Sequence, residues 1–292
     1  MLMRKILVIF LCLIMLSCLF GCQQSETPAQ IVATTQPVYD FTVAICSGTG
    51  IAVSKLITEN VSCLHDYTLQ VNQMRSIESA DVVVLSGAGM ESFLDDALLN
   101  AKEIIDSSAG IDLICTEDNH HHKEHTHEVD SHIWLSPSNA IIMAENIYHS
   151  LLRIYPDHKD IFKQNHLELQ KHLQDLSSYA EDQLNHLSTR DIITFHNGFS
   201  YMANAFHLNI IHAIEEEAGS EASAAQLITL TQIVTNHNLN SIFTECNGST
   251  SAAQIIAAET GAKIYALDMC MAERNYIEAM KYNIDTLKEA LE

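Results

Sequence analysis

Basic residues are scarce in this chain. Fifteen Lys and Arg stand against 37 Asp and Glu in 292 residues, a formal net charge of −22. A nucleic-acid partner is excluded, because phosphate binding needs a basic patch and none is present. Acidity of this degree fits a cation ligand better. No H-E-x-x-H motif occurs, so a zinc hydrolase lacks its usual signature. No repeat of solenoid period is visible, and no cysteine spacing matches a zinc knuckle. There are only four Pro and one Trp, but 16 His. Histidine is the commonest metal ligand, so the placement of those imidazoles decides the reading. The hydrophobic fraction of 47% excludes global disorder. At about 150 residues per domain, the length predicts two compact units.

The first 21 residues read as a lipoprotein signal peptide. Arg4 and Lys5 precede an almost wholly apolar stretch over 6–20, which ends at Gly21-Cys22. Leu19-Phe20-Gly21-Cys22 resembles a bacterial lipobox, with Cys22 as the lipidated residue. The alternatives are a plain signal peptide or an uncleaved anchor, although the run is short for a span of about 20 residues. Residues 22–30 are polar and read as a tether. Export permits disulfides, but the remaining cysteines, Cys46, Cys63, Cys115, Cys246 and Cys270, are odd in number, and their pairing cannot be deduced.

Beyond the tether the expected fold is α/β: two lobes with parallel sheets, joined by one long helix. Residues 31–156 form the first lobe, 157–187 the helix and 188–292 the second lobe. Apolar residues recur at helical spacing from 157 to 187 with no Gly or Pro inside, predicting about 30 residues and 45 Å of helix at 1.5 Å per residue. After it, strands at 191–195, 209–214, 240–245 and 263–268 alternate with helices at 223–236, 250–260 and 275–291, the pattern of a parallel sheet. The first lobe shows the same alternation less cleanly, with a strand over 80–86, a short helix over 92–100 and a longer helix over 139–155.

In open parallel sheets, ligands bind beyond the carboxyl ends of the strands. His196, Glu245 and Asp268 stand there in the second lobe; His65 and His132 lie in loops of the first. Each has an ordinary alternative as a cap or solvated loop residue, and Asp268 in particular suits the cap of the next helix. Joint occurrence in both halves favours a metal site.

Four motifs then occur in order: His65-Asp66-Tyr67, the segment 80–94 (ADVVVLSGAGMESFL), the segment 130–137 (DSHIWLSP) and the segment 195–201 (FHNGFSY). Together they resemble the metal-specific substrate-binding lipoproteins of ABC transporters, the zinc and manganese uptake family, over about residues 30–292. The resemblance implies His65, His132, His196 and Asp268 as the ligands of an ion in the cleft between the lobes. Glu245 stands as an alternative ligand or a supporting group. Three departures fall near the site: Leu64 and Met269 replace residues usual in the family, and the segment 215–225 lacks its proline.

Three imidazoles and one carboxylate suit tetrahedral Zn²⁺; manganese prefers more oxygen ligands but is also taken by members with this set. Four protein ligands would leave no open position for catalysis, so no enzyme activity is expected. The resemblance implies a monomeric, membrane-anchored, extracytoplasmic protein that delivers Zn²⁺ to an ABC permease. A manganese-binding member and a surface adhesin are the alternatives. Residues 119–128 add five histidines, His120, His121, His122, His125 and His127. They read as a loop that collects zinc beside the cleft, or as a solvated insert that binds metal incidentally. His149, His158, His166, His172 and His186 fall on helical pattern and read as surface residues.

Overall fold

The computed structural model describes residues 29–59, 64, 67–115, 129–214, 222–271 and 274–292. The signal segment with Cys22, the residues Cys63, His65 and Asp66, the His-rich segment 119–128 and most of 215–225 lie outside the described residues.

The first half holds one sheet of four parallel strands: β1 (Ile31–Ala33), β2 (Val53–Lys55), β3 (Val82–Leu85) and β4 (Ile104–Asp106), in the order β2-β1-β3-β4. Val32 pairs with Val83, and Val83 with Ile104. The central strands β1 and β3 are buried along their whole length. That explains their unbroken apolar runs, since a parallel strand covered on both faces does not alternate. The edge strands β2 and β4 are short and part-polar, so the sequence pattern did not show them.

Helix α1 (Gln36–Cys46) follows β1 with Pro37 in its first turn, where a missing N–H costs nothing. Helix α2 (Val71–Ser79) carries a capping box between Gln70 and Gln73. The expected short helix is a 3₁₀ turn, Ser92–Leu94, running into α3 (Asp95–Leu98). Helix α4 (Pro137–Ile154) starts at Ser136, whose side chain accepts the Asn139 N–H.

The long helix, α5 (Lys159–Gln183), has 25 residues, about 37 Å at 1.5 Å per residue. It is shorter than expected because Pro156 opens a separate 3₁₀ turn, Pro156–His158, and residues 184–186 leave the helix. Its buried face is Phe162, His166, Leu169, Leu173, Leu176 and Ala180. His166 therefore corrects the expectation of a surface residue. Its ring stacks on Tyr148 of α4, with centroids 4.3 Å apart and planes 1° from parallel. The spacing already put it on the stripe with Phe162 and Leu169.

The second half runs β5 (Asp191–Thr194), α6 (Ser200–Phe206), β6 (Asn209–Ala213), α7 (Ala224–Asn236), β7 (Ser241–Glu245), α8 (Ser251–Thr260), β8 (Lys263–Leu267) and α9 (Tyr276–Leu291). β5 pairs in parallel with β6, and β7 with β8; β5 and β7 lie side by side between the two ladders.

One hydrophobic core extends from β1 and β3 through α4 and α5 to Phe199, Met269 and α9, and a smaller one lies under α7 and α8. The halves are stitched at few points. Trp134 Nε1 donates to the Met269 carbonyl at 2.8 Å, and the Tyr276 hydroxyl donates to the Trp134 carbonyl at 2.8 Å. The Tyr276 N–H donates to Asp40 at 2.7 Å. Trp134 and Tyr276 are fully buried, a hydrophobic gain of roughly 2–3 kcal/mol each, so the two halves are held against each other rather than merely tethered.

Candidate metal centre

His132 is set by its own sequence neighbours. Ile133, Trp134 and Leu135 form a 3₁₀ turn with no exposed surface, which anchors the loop just before them. Two residues upstream, Asp130 turns back. Its Oδ1 accepts the His132 N–H at 2.9 Å and faces His132 Nδ1 at 2.9 Å, a local side-chain turn of the kind aspartate favours. Its Oδ2 accepts the Ser200 N–H at 3.2 Å, so this carboxylate also reaches the second half. Burial pushes the Asp130 pKa up, but hydrogen bonds and charge from His132, with the Ser200 N–H, prevail and hold it below the ordinary value. An ionised carboxylate only accepts, so the hydrogen of His132 belongs on Nδ1 and the ring lone pair on Nε2.

His196 also faces a carboxylate, this one from a distant part of the chain. It lies two residues past β5, and its Nδ1 stands against Oε1 of Glu245, the last residue of β7. His196 is 3% exposed and Glu245 2%. His196 Nε2 is buried with no hydrogen-bond partner among the described residues, an expensive omission for a polar atom unless a ligand completes it. The two rings meet edge to face, their centroids 5.3 Å apart at 75°.

Space between them depends on Gly198. A Cβ on Gly198 would stand 2.4 Å from His196 Nε2, 2.7 Å from His196 Cε1 and 3.0 Å from His132 Cε1. Only a residue without a side chain lets the backbone pass so close to these two ring edges.

Asp268 follows β8, and the register that pairs Glu245 with Leu267 makes it the neighbour of Glu245 at the sheet edge. It is 2% exposed. It is not a helix cap, because Asn275 caps α9. Its Oδ2 accepts from Arg274 Nη1 at 2.9 Å, and its Oδ1 accepts the Cys270 N–H at 2.8 Å. The structure thus brings His132, His196 and Glu245 together and engages the Asp268 carboxylate with Arg274. Among the described residues, no three His, Cys, Asp or Glu converge as a complete metal site. His65 lies outside them; its neighbour Leu64 is fully buried, and Tyr67 donates to Glu59 at 2.9 Å. Cys46, Cys115, Cys246 and Cys270 are all free thiols.

Sequence reasoning missed the roles of Asp130 and Gly198. The D-x-H spacing carried the signal for Asp130, since a carboxylate two residues before a loop histidine can reach both its N–H and its ring. Nothing in the sequence alone showed that residue 198 must pass between two imidazoles. Two buried imidazoles, each with Nδ1 against a carboxylate, can hold a divalent cation through Nε2. The unpartnered Nε2 and the gap beside Gly198 both fit such an ion.

A family model described as zinc-uptake complex component A, periplasmic, matches residues 31–290. The zinc-binding lipoprotein AdcA of Streptococcus pneumoniae (strain ATCC BAA-255 / R6) is 30% identical over 307 aligned positions, covering 98% of this chain and 61% of its own length. The chain therefore spans about three fifths of that relative. The high-affinity zinc uptake system protein ZnuA of Bacillus subtilis (strain 168) is 29% identical and is covered over 87% of its length by 89% of this chain. A solved structure described as the crystal structure of ZnuA superposes with a TM-score of 0.80 at 29% identity, covering 90% of this chain and all of that one.

Proposed function

Because the chain belongs to the zinc-uptake complex component A family, we propose that it binds Zn²⁺ outside the cytoplasm and hands it to an ABC permease. His65, His132, His196 and Asp268 are the proposed ligands, with Asp130 and Glu245 orienting two of the imidazoles. The observation that carries this reading is the matched pair: His132 and His196, edge to face at 5.3 Å, each with Nδ1 against a buried carboxylate. A carboxylate behind Nδ1 raises the basicity of the ligating nitrogen and fixes its direction.

Zinc is the proposed ion because three neutral imidazoles and one carboxylate match its tetrahedral preference, whereas manganese favours oxygen donors and higher coordination. Delivery rather than catalysis follows from the same count: four protein ligands leave no position for a reacting water. Cys22 is the proposed lipid attachment site. Among the described residues no helix is long and apolar enough to cross a membrane.

Competition titration of the purified protein with a zinc chelator tests the site. Replacing His65, His132, His196 or Asp268 singly by Ala removes one of four ligands, and each variant should bind weaker by orders of magnitude. Unchanged affinity in any of them removes that residue from the site. Manganese offered together with zinc should be left in solution; its retention at equal metal would overturn the choice of ion.

A further inference from the structure

Asp268 is held in place without help from Arg274. Its N–H donates to Asn283 Oδ1 at 2.7 Å, and its carbonyl accepts from Asn283 Nδ2 at 2.7 Å, so α9 clamps its backbone on both sides. The Cys270 N–H fixes Oδ1 at 2.8 Å. Arg274 adds one contact, from Nη1 to Oδ2 at 2.9 Å. Unlike the carboxylate, its side chain is 44% exposed. Its guanidinium also lies over the Tyr282 ring, 4.3 Å from the centroid, with the Cys246 thiol beside it.

We infer that Arg274 is a built-in rival of the transported cation for Asp268 Oδ2, and that it speeds release of the ion. The inference rests on Asp268 being a ligand, as proposed above. A doubly charged ion about 2.0–2.2 Å from a carboxylate oxygen and a guanidinium hydrogen-bonded to that oxygen repel each other across a few ångströms that solvent screens only in part. Withdrawal is cheap for the arginine, because its stem is already in water and the Tyr282 face supports the cation after it leaves the carboxylate. When the ion departs, the guanidinium returns and compensates a buried carboxylate that would otherwise be left unpaired, a costly state. One cation thus exchanges for another, and the free energy of emptying the site falls.

Stopped-flow release of Zn²⁺ into excess chelator reads this directly. Arg274→Gln should slow release about tenfold and tighten equilibrium binding by a similar factor, a modest change of the size expected for one partly exposed charge. Arg274→Lys, which keeps the charge but neither the planar fork nor the stacking, should fall between the two. Release that is unchanged or faster in Arg274→Gln overturns the inference. Arg274→Met, of similar length and without charge, serves as a second probe if Arg274→Gln does not fold: release should again be slower than in the parent, and an unchanged or faster rate overturns the inference. Asp268→Asn separates the two levels. If it leaves zinc affinity intact, the assignment of the fourth ligand fails and this inference with it. If it weakens binding while Arg274→Gln in the otherwise unaltered chain has no effect, only the rivalry fails.

Discussion

His132 and His196 present their rings edge to face, with centroids 5.3 Å apart, although they belong to different halves of the chain. Neither ring is placed by the other. Asp130 holds one by hydrogen bonds to its N–H and Nδ1, and Glu245 faces the Nδ1 of the other. Under the proposed function these two carboxylates orient the imidazoles without touching the ion, so holding and ligating are separable by substitution.

Glu245→Gln keeps the shape behind His196 and removes the charge. Zinc affinity should fall about 10–100-fold, the usual cost of losing a group that orients a metal-bound imidazole. X-ray absorption should show an unchanged count of nitrogen and oxygen ligands. A lost oxygen ligand in that spectrum would make Glu245 itself a ligand and Asp268 the group outside the site.

Gly198→Ala puts a methyl group 2.4 Å from His196 Nε2, so the imidazole must turn away. Zinc affinity should drop on the order of a hundredfold, as when an imidazole loses its orientation, while the thermal midpoint of the metal-free protein stays within a few degrees of the parent. Calorimetry and thermal unfolding together check it. A variant that binds zinc normally would show that the gap beside residue 198 is not where the ion sits.

Glu91 gives a pH dependence that does not involve the ion. It is buried at the carboxyl ends of β1 and β3, where it accepts from the Thr34 hydroxyl at 2.6 Å and from the Ser86 and Gly87 N–H groups at 2.7 and 3.0 Å. Burial pushes its carboxyl up to about 7, more than those hydrogen bonds pull it down. Its pKa is higher folded than unfolded, so its contribution to stability is complete below about pH 4.3 and is lost as pH rises through about 7. The loss should be on the order of 3 kcal/mol across that window. Urea midpoints of the parent and Glu91→Gln, measured from pH 4 to 8, should converge on different slopes, with the variant flatter. Parallel slopes would show that the buried carboxyl keeps an ordinary pKa.

Deleting residues 119–128 should reduce the number of zinc ions bound without removing the tightest. Five imidazoles close together in sequence must be ordered around an ion at a conformational cost that a preformed cleft largely avoids. Their binding should also fail first on acidification, since protonated imidazole does not ligate. Calorimetry on intact and deleted protein at two pH values reads both effects. Loss of the tightest binding event in the deleted form would move the principal site out of the cleft.

Much of the fold was legible wherever burial was regular. The strands after the long helix appeared within a residue or two of their observed limits, because β7 and β5 are apolar and bounded by polar turns. Helix α4 was visible from its spacing and its stop at Pro156. The weaker elements were not: β2 and β4 sit at the edges of the sheet and carry polar residues such as Ser54, Lys55 and Asp106, and α2 buries only Gln73 and Ile77. His166 shows the opposite error. Polarity argued for the surface, but its place on the Phe162–Leu169 stripe and the flat face of Tyr148 put it inside.

The sequence by itself determined the α/β class, the strand-end and loop histidines and the acidic partners available to them, since hydrophobic period and residue chemistry are local properties. It left open which carboxylate serves which histidine. Asp130 could be matched to His132 by spacing alone, because two residues of chain force them together. Glu245 could be matched to His196 only by the side-by-side placement of β5 and β7, and Asn283 of α9 to the backbone of Asp268 only by helix packing. Those pairings are set by strand order and helix packing across the whole second half, and no local pattern in the chain encodes them.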